Sequence, residues 1–250
     1  MKYLAWLSMP ICLCLWELAV RIWHVPAYLL PGPVAIVGAF VADWSGLLRS
    51  LGVTLAVMMV ALLVSVVVGV TLAALVAASK LARALVQPWA VVLQVTPVVA
   101  IAPLLIDLIG DPFAALVICA SVVAFFPVFS ATLAGLSAPP AELLDLFRLN
   151  GAKKWQEIFW LRLPAAMPLF LSGLRISGGL ALVGAVVAEF VNSTGGGATG
   201  LATSLLESGY RLQVPRMFAC LALLALAGLA INLALGRLES ILLRRFGSIS

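Results

Sequence analysis

Charged side chains are scarce in this chain of 250 residues: only 10% of the residues are Asp, Glu, Lys or Arg, whereas 64% are hydrophobic. A soluble domain carries about 25% charged residues, so too little polar surface is available here to cover a water-soluble globule. The mean hydropathy of +1.19 agrees with that shortage. The composition therefore excludes an ordinary soluble enzyme and predicts an all-α, polytopic membrane protein forming a single domain over residues 1–250.

Histidine and cysteine are also rare, which limits the chemistry that the chain can perform. The single histidine, His24, rules out His-rich metal sites and makes an intramembrane Ser-His hydrolase a poor alternative. Cys12 and Cys14 would point about 200° apart on a helix, so they cannot hold one metal together. We expect all four cysteines to be small buried hydrophobic residues, and we predict no metal site and no catalytic residue.

The chain also lacks a phosphate-binding loop. The glycine cluster at residues 195–200 is not followed by the Lys-Ser/Thr pair of such loops, so the chain itself is not expected to bind ATP. The cluster is typical of a turn, and a moving part of an outer gate is the alternative. The net charge of +5 is no sign of nucleic-acid binding, because the basic residues cluster at the ends of apolar segments.

Six apolar segments are long enough to cross a bilayer, which takes about 20 helical residues. They cover residues 3–23, 50–79, 84–106, 112–136, 167–191 and 217–236. The first ends without a small-residue cleavage site, so we interpret it as a retained membrane helix. Within it, Glu17 and Arg21 are four residues apart and can share their charge locally. Three prolines interrupt the third segment.

The distribution of Lys and Arg predicts the orientation of these six segments. Ten basic residues fall on one side of the predicted membrane: Lys2, Lys80, Arg83, Arg148, Lys153, Lys154, Arg162, Arg237, Arg244 and Arg245. Four fall on the other side: Arg21, Arg49, Arg211 and Arg216. Because cytoplasmic loops carry the excess of positive charge, both termini and the central loop are predicted to be cytoplasmic.

The central segment, residues 137–164, is the one long charge-rich stretch of the chain. Pro139 and Pro140 can start a helix after the fourth span, and Asn150-Gly151 can end it. A second amphipathic helix, with Trp155 on its apolar face, should follow before Leu163-Pro164 returns the chain to the membrane. Two short helices around a sharp turn could dock into a groove of a partner protein or lie on the lipid surface, and composition does not separate the two.

The residues of this segment resemble the EAA loop of permease subunits of bacterial ABC importers, which reads E-A-A-x3-G-x9-I-x-L-P. Here Asp145-Leu-Phe-Arg-Leu-Asn-Gly151 is followed after nine residues by Leu161-Arg-Leu-Pro164. Further segments resemble the nitrate/sulfonate/taurine branch of that family in order along the chain: residues 30–33, 94–97, 101–104, 173–175 and 187–189. Asp145 replaces the glutamate of the motif, and Leu146-Phe147 replaces the two alanines.

The resemblance implies a permease of the inner membrane whose EAA loop contacts an ATPase. It implies two copies of the permease, two ATPase subunits that bind ATP and Mg, and an external solute-binding protein. The residues implied in ATPase coupling are Asp145, Phe147, Gly151, Lys153, Trp155, Leu161, Leu163 and Pro164. Substrates of the branch are sulfonates, taurine or nitrate, with carriers of pyrimidine-type vitamin precursors as the alternative. A stand-alone secondary transporter is the rival from another class.

Five polar residues within or beside the spans are candidates for the translocation pathway: Gln94, Thr96, Asp107, Arg175 and Glu189. A charge at mid-bilayer costs about 2.5–3.5 kcal/mol on insertion scales, so Arg175 and Glu189 should face the bundle or a water path. Their separation of 14 residues, about 21 Å along a helix, prevents them from pairing with each other. Pairing with other spans and lining of the pathway both remain open for them, and packing hydrogen bonds are the alternative for Gln94 and Thr96. Asp107 and Asp111 replace an apolar turn of the family and could attract a cationic or amine-bearing solute, or could face only the solvent rim.

Overall fold

The computed structural model describes residues 2–192 and 199–246, apart from the side chains of residues 2–9, 80, 99, 245 and 246. Every regular element in this part of the chain is a helix, which confirms the predicted all-α class. The helices are α1 (Lys2–Ile22), α2 (Pro33–Ala42), α3 (Trp44–Ala78), α4 (Lys80–Val95), α5 (Val98–Ile109), α6 (Pro112–Leu136), α7 (Ala141–Leu149), α8 (Lys154–Gln156), a π-helical segment (Glu157–Arg162), α9 (Leu163–Asn192), α10 (Leu201–Tyr210) and α11 (Val214–Phe246).

The centre of the bundle is formed by α3, α6 and α9. Their buried apolar side chains form one core cluster that includes Val57 and Met58 of α3, Leu116 of α6 and Leu182 of α9. Apolar side chains gain little from leaving lipid, so close packing and hydrogen bonds must hold such helices together. Ser177 of α9 supplies one of these bonds by donating to the carbonyl of Ala124 on α6, at 2.7 Å.

Small residues allow α6 and α9 to approach each other closely. A methyl group added at Gly173 would overlap the backbone carbonyl of Pro127, and one at Gly184 would press on Ala120. At the far end of the same contact, Gly135 of α6 lies against the backbone of Ala166 on α9. This row of small residues makes α6 and α9 a tightly packed pair, so a shift of one helix will move the other.

The third predicted span, residues 84–106, is not a continuous helix. It is broken at Thr96 and Pro97 into α4 and α5, and the axes of Leu81–Val95 and Ala100–Ile109 differ by 108°. Pro97 has no N–H to donate into α4, and its ring obstructs the preceding turn. The Thr96 hydroxyl donates to the Val92 carbonyl at 2.7 Å, and its backbone N–H donates to the same oxygen at 3.0 Å. The prolines predicted an interruption, but a bend of this size was not foreseen.

Four helices of the described chain are long and apolar enough to cross a membrane: Trp44–Ala78, Pro112–Leu136, Lys154–Asn192 and Val214–Arg244. The bent pair α4 and α5 would make a fifth crossing if both halves belong to one span. The first predicted span coincides with α1, part of whose side chains lie outside the described residues. The count of six crossings therefore stays a prediction.

The prediction that all four cysteines are buried was wrong for two of them. Cys119 of α6 and Cys220 of α11 are buried, whereas Cys12 and Cys14 of α1 are exposed. An apolar sequence run does not distinguish a helix face in the bundle from one turned towards lipid, because both are apolar. The Glu17–Arg21 pair on the same helix is confirmed, with 2.7 Å between Oε1 and Nε.

The bundle has two polar ends of different construction. At one end, α10 and α2 pack against α3, α9 and α11, and the guanidinium of Arg216 lies 2.7 Å from the carboxylate of Asp43. We call this the α10 end. At the other end, α7, α8 and the π-helical segment lie beside the last turn of α3 and the carbonyl end of α6. We call this the loop end.

Candidate functional site

The central segment 137–164 begins with a short, well-terminated helix. Helix α7 starts after Pro140 and ends at Leu149, close to the predicted bounds. Gly151 follows with a φ of +71°, a backbone conformation that costs most other residues about 1–2 kcal/mol. The Gly151 N–H donates to the Arg148 carbonyl and the Ala152 N–H to the Phe147 carbonyl, both at 3.0 Å. The sharp turn predicted at Asn150-Gly151 is therefore present.

The second half of the segment differs from the prediction of a separate short helix. Lys154–Asn192 is one helix of 39 residues that runs from the loop into the fifth predicted span without a break. Between Glu157 and Arg162 the helix widens into a π-helical segment. Pro164 follows directly and cannot donate an N–H into the preceding turn, which accounts for the local widening. The loop is consequently attached rigidly to α9.

An ion-pair network fixes the loop against the bundle. The Glu157 carboxylate lies 2.7 Å from Nη2 of Arg162 and 3.8 Å from Nε of Arg148 on α7. The Glu157 and Arg162 side chains are only 13% and 20% exposed, so this pair is partly shielded from solvent. Arg162 also donates to the Leu136 carbonyl at the end of α6, at 3.2 Å. One carboxylate and two arginines thereby join α7, α9 and α6.

The loop presents apolar side chains that the rest of the chain does not cover. On α7, Leu143, Leu146 and Leu149 are exposed at spacings of three residues, and Leu149 is 86% exposed. Leu144 and Phe147, which are also apolar residues of α7, are partly buried and face inward. Trp155, Phe159 and Trp160 are exposed on the following helix. Exposed apolar side chains grouped in this way along one segment are typical of a docking or membrane contact.

The remaining predicted coupling residues lie around this surface, and nothing in the structure tests their contact with an ATPase. Asp145 is exposed and pairs with Arg148 at 3.4 Å. The Lys153 N–H donates to Oε1 of Gln156 at 2.7 Å, which closes the start of α8. Leu161 and Pro164 are partly buried where the helix enters the bundle, and Leu163 is exposed there.

The polar residues singled out between α4 and the start of α6 have different surroundings. Gln94 is exposed, and Thr96 is occupied by its bond to Val92. Asp107 is exposed near the end of α5. Asp111 caps the start of α6, where its carboxylate accepts from the N–H groups of Phe113 at 3.2 Å and Ala114 at 3.3 Å. Capping a helix is a sufficient structural role for Asp111, so its presence does not require contact with a substrate.

Arg175 lies in the apolar part of α9 and is paired with side chains of α11. Its Nη1 lies 3.4 Å from a carboxylate oxygen of Glu239, and its Nη2 donates to Asn232 at 2.9 Å. Ser172 donates to the other oxygen of Glu239 at 2.9 Å. The Arg175 side chain is nevertheless 45% exposed in the isolated chain. A charged side chain that is partly exposed within the apolar part of a membrane helix should face water or another protein chain rather than lipid.

Glu189 lies at the α10 end and is completely buried. Its Oε2 accepts from the Ala202 N–H at 3.0 Å, while the Leu201 N–H donates to the Thr54 hydroxyl of α3 at 2.9 Å. Both donors belong to the first turn of α10, which lacks a capping side chain of its own. Gly200 lies directly against the Glu189 carboxyl group, where any added methyl group would overlap it. Glu189 and Thr54 therefore hold the start of α10 onto the bundle.

Sequence reasoning did not assign the residues that organise the loop end. Arg148 and Arg162 were predicted only as markers of orientation, and Glu157 was given no functional role. Residues five apart lie about 140° apart on an α-helix, so Glu157 and Arg162 gave no pairing signal. The i to i+5 geometry of a π-helix brings them onto one face.

Several known transport proteins are similar in sequence to this chain over almost its whole length. The family model described as "binding-protein-dependent transport system inner membrane component" matches residues 65–248. The riboflavin transport system permease protein RibX of Chloroflexus aurantiacus is 36% identical over 95% of this chain and 90% of its own length. The formylaminopyrimidine transport permease protein ThiX of Halalkalibacterium halodurans is 32% identical over 92% and 90%. A putative aliphatic sulfonates transport permease protein, SsuC of Bacillus subtilis, is 28% identical over 87% and 78%.

The fold is also found in a solved transporter. An inward-facing structure of the MetNI methionine ABC transporter matches 78% of this chain and 95% of the solved chain, with a TM-score of 0.66 and 21% identity. This fold, the apolar helices and the segment that contains α7 agree with the predicted resemblance to ABC importer permeases. The family match over residues 65–248 agrees with it as well. The chain belongs to the binding-protein-dependent transport system inner membrane component family and is the permease subunit of an ABC importer.

Proposed function

We propose that this permease works as a pair of identical copies, with one ATPase docked on segment 137–164 of each copy and a solute-binding protein at the α10 end. The ATPases bind ATP and Mg, and the permease itself catalyses no reaction. The observation that carries the proposal is the exposed leucine face of α7, formed by Leu143, Leu146 and Leu149. The ion pairs of Glu157 with Arg148 and Arg162, the Glu157 network, fix this face to the bundle. A rigid apolar helix face is suited to a groove in a partner protein.

The loop end would face the cytoplasm. Arg83, Arg148, Lys154 and Arg162 all line one cavity at that end, in agreement with the positive charge that cytoplasmic segments carry. The α10 end would then face the exterior, where a binding protein delivers the solute. Both termini would be cytoplasmic if the six predicted crossings are all made.

The contacts also suggest how ATPase closure is transmitted. A push on α7 reaches Glu157 through Arg148, and it reaches α6 through Arg162 and the Leu136 carbonyl. It reaches α9 directly, because the loop and α9 form one helix. Since α6 and α9 are closely packed through Gly173 and Gly184, both helices would tilt together. Such rigid-body motion is a common route to alternating access.

For the substrate, we infer a small nitrogen heterocycle of the vitamin or vitamin-precursor class. Two curated relatives at 36% and 32% identity are named for riboflavin and formylaminopyrimidine, and each covers over nine-tenths of this chain. Arg175, the natural partner for a sulfonate, is already paired with Glu239. Among the predicted pathway residues, Gln94 is exposed two residues before the α4–α5 break, and Asp107 is exposed near the end of α5. An amide and a carboxylate suit neutral or weakly basic rings better than anions.

Sulfonate import is the second candidate, since the sulfonate permease relative covers 87% of this chain. ATP-driven uptake separates the two candidates when the permease, its ATPase and its binding protein are reconstituted in proteoliposomes. Riboflavin, a formylaminopyrimidine and an alkanesulfonate would be offered in turn at equal concentration. We expect accumulation of one of the two heterocycles only. Accumulation of the sulfonate alone would replace the proposal with the second candidate.

A further inference from the structure

A cavity of about 440 Å³ opens at the loop end, between the last turn of α3 and the segment that carries the Glu157 network. Four cationic side chains line it: Arg83, Arg148, Lys154 and Arg162. Arg148 and Arg162 are paired with the carboxylates of Asp145 and Glu157. Arg83 and Lys154, in contrast, pair with no carboxylate among the described residues. The cavity therefore holds two positive charges that no carboxylate in the described part of the chain compensates.

Cationic side chains often bind the free carbonyl groups at the C-terminal ends of helices, and α3 and α6 both end near Arg83 and Lys154. The Leu136 carbonyl of α6 receives Arg162. Within the described chain, no hydrogen bond joins the side chain of Arg83 or Lys154 to a backbone carbonyl. Ser79 lines the same cavity and caps the start of α4, where its hydroxyl accepts from the Ala82 N–H at 3.4 Å. This environment favours an anion.

A second groove of about 390 Å³ continues from the cavity along α4. Arg83 belongs to both, and the groove is otherwise lined by Ala84, Gln87, Pro88 and Val91. These positions share one face of α4 and extend about 12 Å from Arg83 towards the middle of that helix. The groove is mainly apolar, so a ligand that fills both spaces needs an anionic head and an apolar tail. Exposed Trp155 and Trp160 nearby are typical of the level of lipid headgroups.

We propose that this cavity binds the phosphate of an acidic phospholipid, with an acyl chain in the groove along α4. Arg83 and Lys154 donate to the phosphate oxygens, as basic pockets between membrane helices do for anionic headgroups. Because Arg148 and Lys154 belong to the central segment, an occupied site joins lipid, loop and bundle. The inference does not depend on the solute that the permease carries.

Binding can be measured by native mass spectrometry of the purified full-length permease, titrated with phosphatidylglycerol in detergent. The Arg83→Gln/Lys154→Gln variant should lose at least about tenfold in affinity, since each basic residue near an anionic lipid headgroup adds to its attraction. Arg49→Gln/Arg211→Gln is the matched control, because it removes the same charge from exposed residues outside the cavity. That control should bind phosphatidylglycerol as the wild type does. Equal retention of the lipid by the cavity variant would overturn the proposal.

A second variant covers the case in which the double substitution fails to fold. Ala77→Phe fills the cavity without changing its charge and should weaken phosphatidylglycerol binding in the same assay. Undiminished binding to a folded Ala77→Phe permease would exclude the cavity as the lipid site. Inorganic phosphate at millimolar concentration distinguishes the source of the anion. It should leave the lipid bound, whereas displacement of the lipid by phosphate would overturn the assignment to a lipid and place a soluble phosphate there.

Discussion

The Glu157 carboxylate and the Arg162 guanidinium lie 2.7 Å apart across a π-helical turn. Arg162 also donates to the last carbonyl of α6, so this pair links the loop to two helices of the bundle. A hydrogen bond to a charged group contributes about 1.5–3 kcal/mol. The pair is thus strong enough to keep the loop in register with α6 and α9 when a partner pushes on it.

Loss of the Glu157 charge should uncouple the ATPase from transport. In Glu157→Gln, Arg162 and Arg148 lose their shared counter-charge, and we expect uptake to fall at least about tenfold while ATP hydrolysis continues. The measurement is the ratio of solute imported to ATP hydrolysed in proteoliposomes. Glu142→Gln, on the exposed start of α7, is the matched control and should keep the wild-type ratio. A normal ratio in Glu157→Gln would contradict a coupling role for the network.

Gly151 should tolerate only residues that accept a positive φ. Gly151→Val places a β-branched side chain at φ +71°, at a cost of about 1–2 kcal/mol or more. We expect the variant to insert into the membrane but to lose most ATPase binding and uptake. Gly151→Asn is the matched control, since asparagine adopts this conformation more readily, and it should retain most activity. If Gly151→Val transports at the wild-type rate, the turn does not set the position of α7.

The close approach of Gly200 to Glu189 should make this position sensitive to a single methyl group. Gly200→Ala would force α10 away from Glu189, and overpacking of this kind costs about 1–3 kcal/mol. Thermal unfolding of the purified permease in detergent should therefore begin at a lower temperature. Gly38→Ala is the control, because nothing lies within 4 Å of the added methyl group there. Equal melting of the two variants would show that the contact between α10 and Glu189 is not required.

Orientation can be tested with impermeant thiol reagents. In a permease whose four cysteines are replaced by alanine, a cysteine at Arg211 should react in intact cells, whereas one at Lys153 should react only after the membrane is opened. The reason is the excess of basic residues at the loop end. Both positions are exposed in the structure, so accessibility does not favour either. The reverse labelling pattern would invert the proposed topology.

Local sequence signals predicted the local features of this fold well. Pro140 and Gly151 bound α7 because proline and glycine act through their own backbone, and the apolar runs correspond to the long helices. Features that depend on three-dimensional context were missed. Several prolines lie in the third predicted span, and sequence does not reveal that Pro97 is where the chain bends by 108°. The Glu157–Arg162 pair requires a π-helical turn, and the Glu189–Ala202 bond joins α9 to α10, which are separate elements along the chain.

The most direct test of the account is whether the exposed leucine face of α7 holds the ATPase. In Leu146→Glu/Leu149→Glu, two charges replace side chains that should be buried in the ATPase groove. The two leucines are 53% and 86% exposed, so the substitutions remove little internal packing. Leu212→Glu, an equally exposed leucine in the turn that follows α10, is the matched control. The measurement is the amount of ATPase that co-purifies with a tagged permease. The account predicts that the α7 variant, correctly inserted, loses at least about nine-tenths of its ATPase while Leu212→Glu retains it; wild-type recovery of ATPase with the α7 variant would contradict docking through this face.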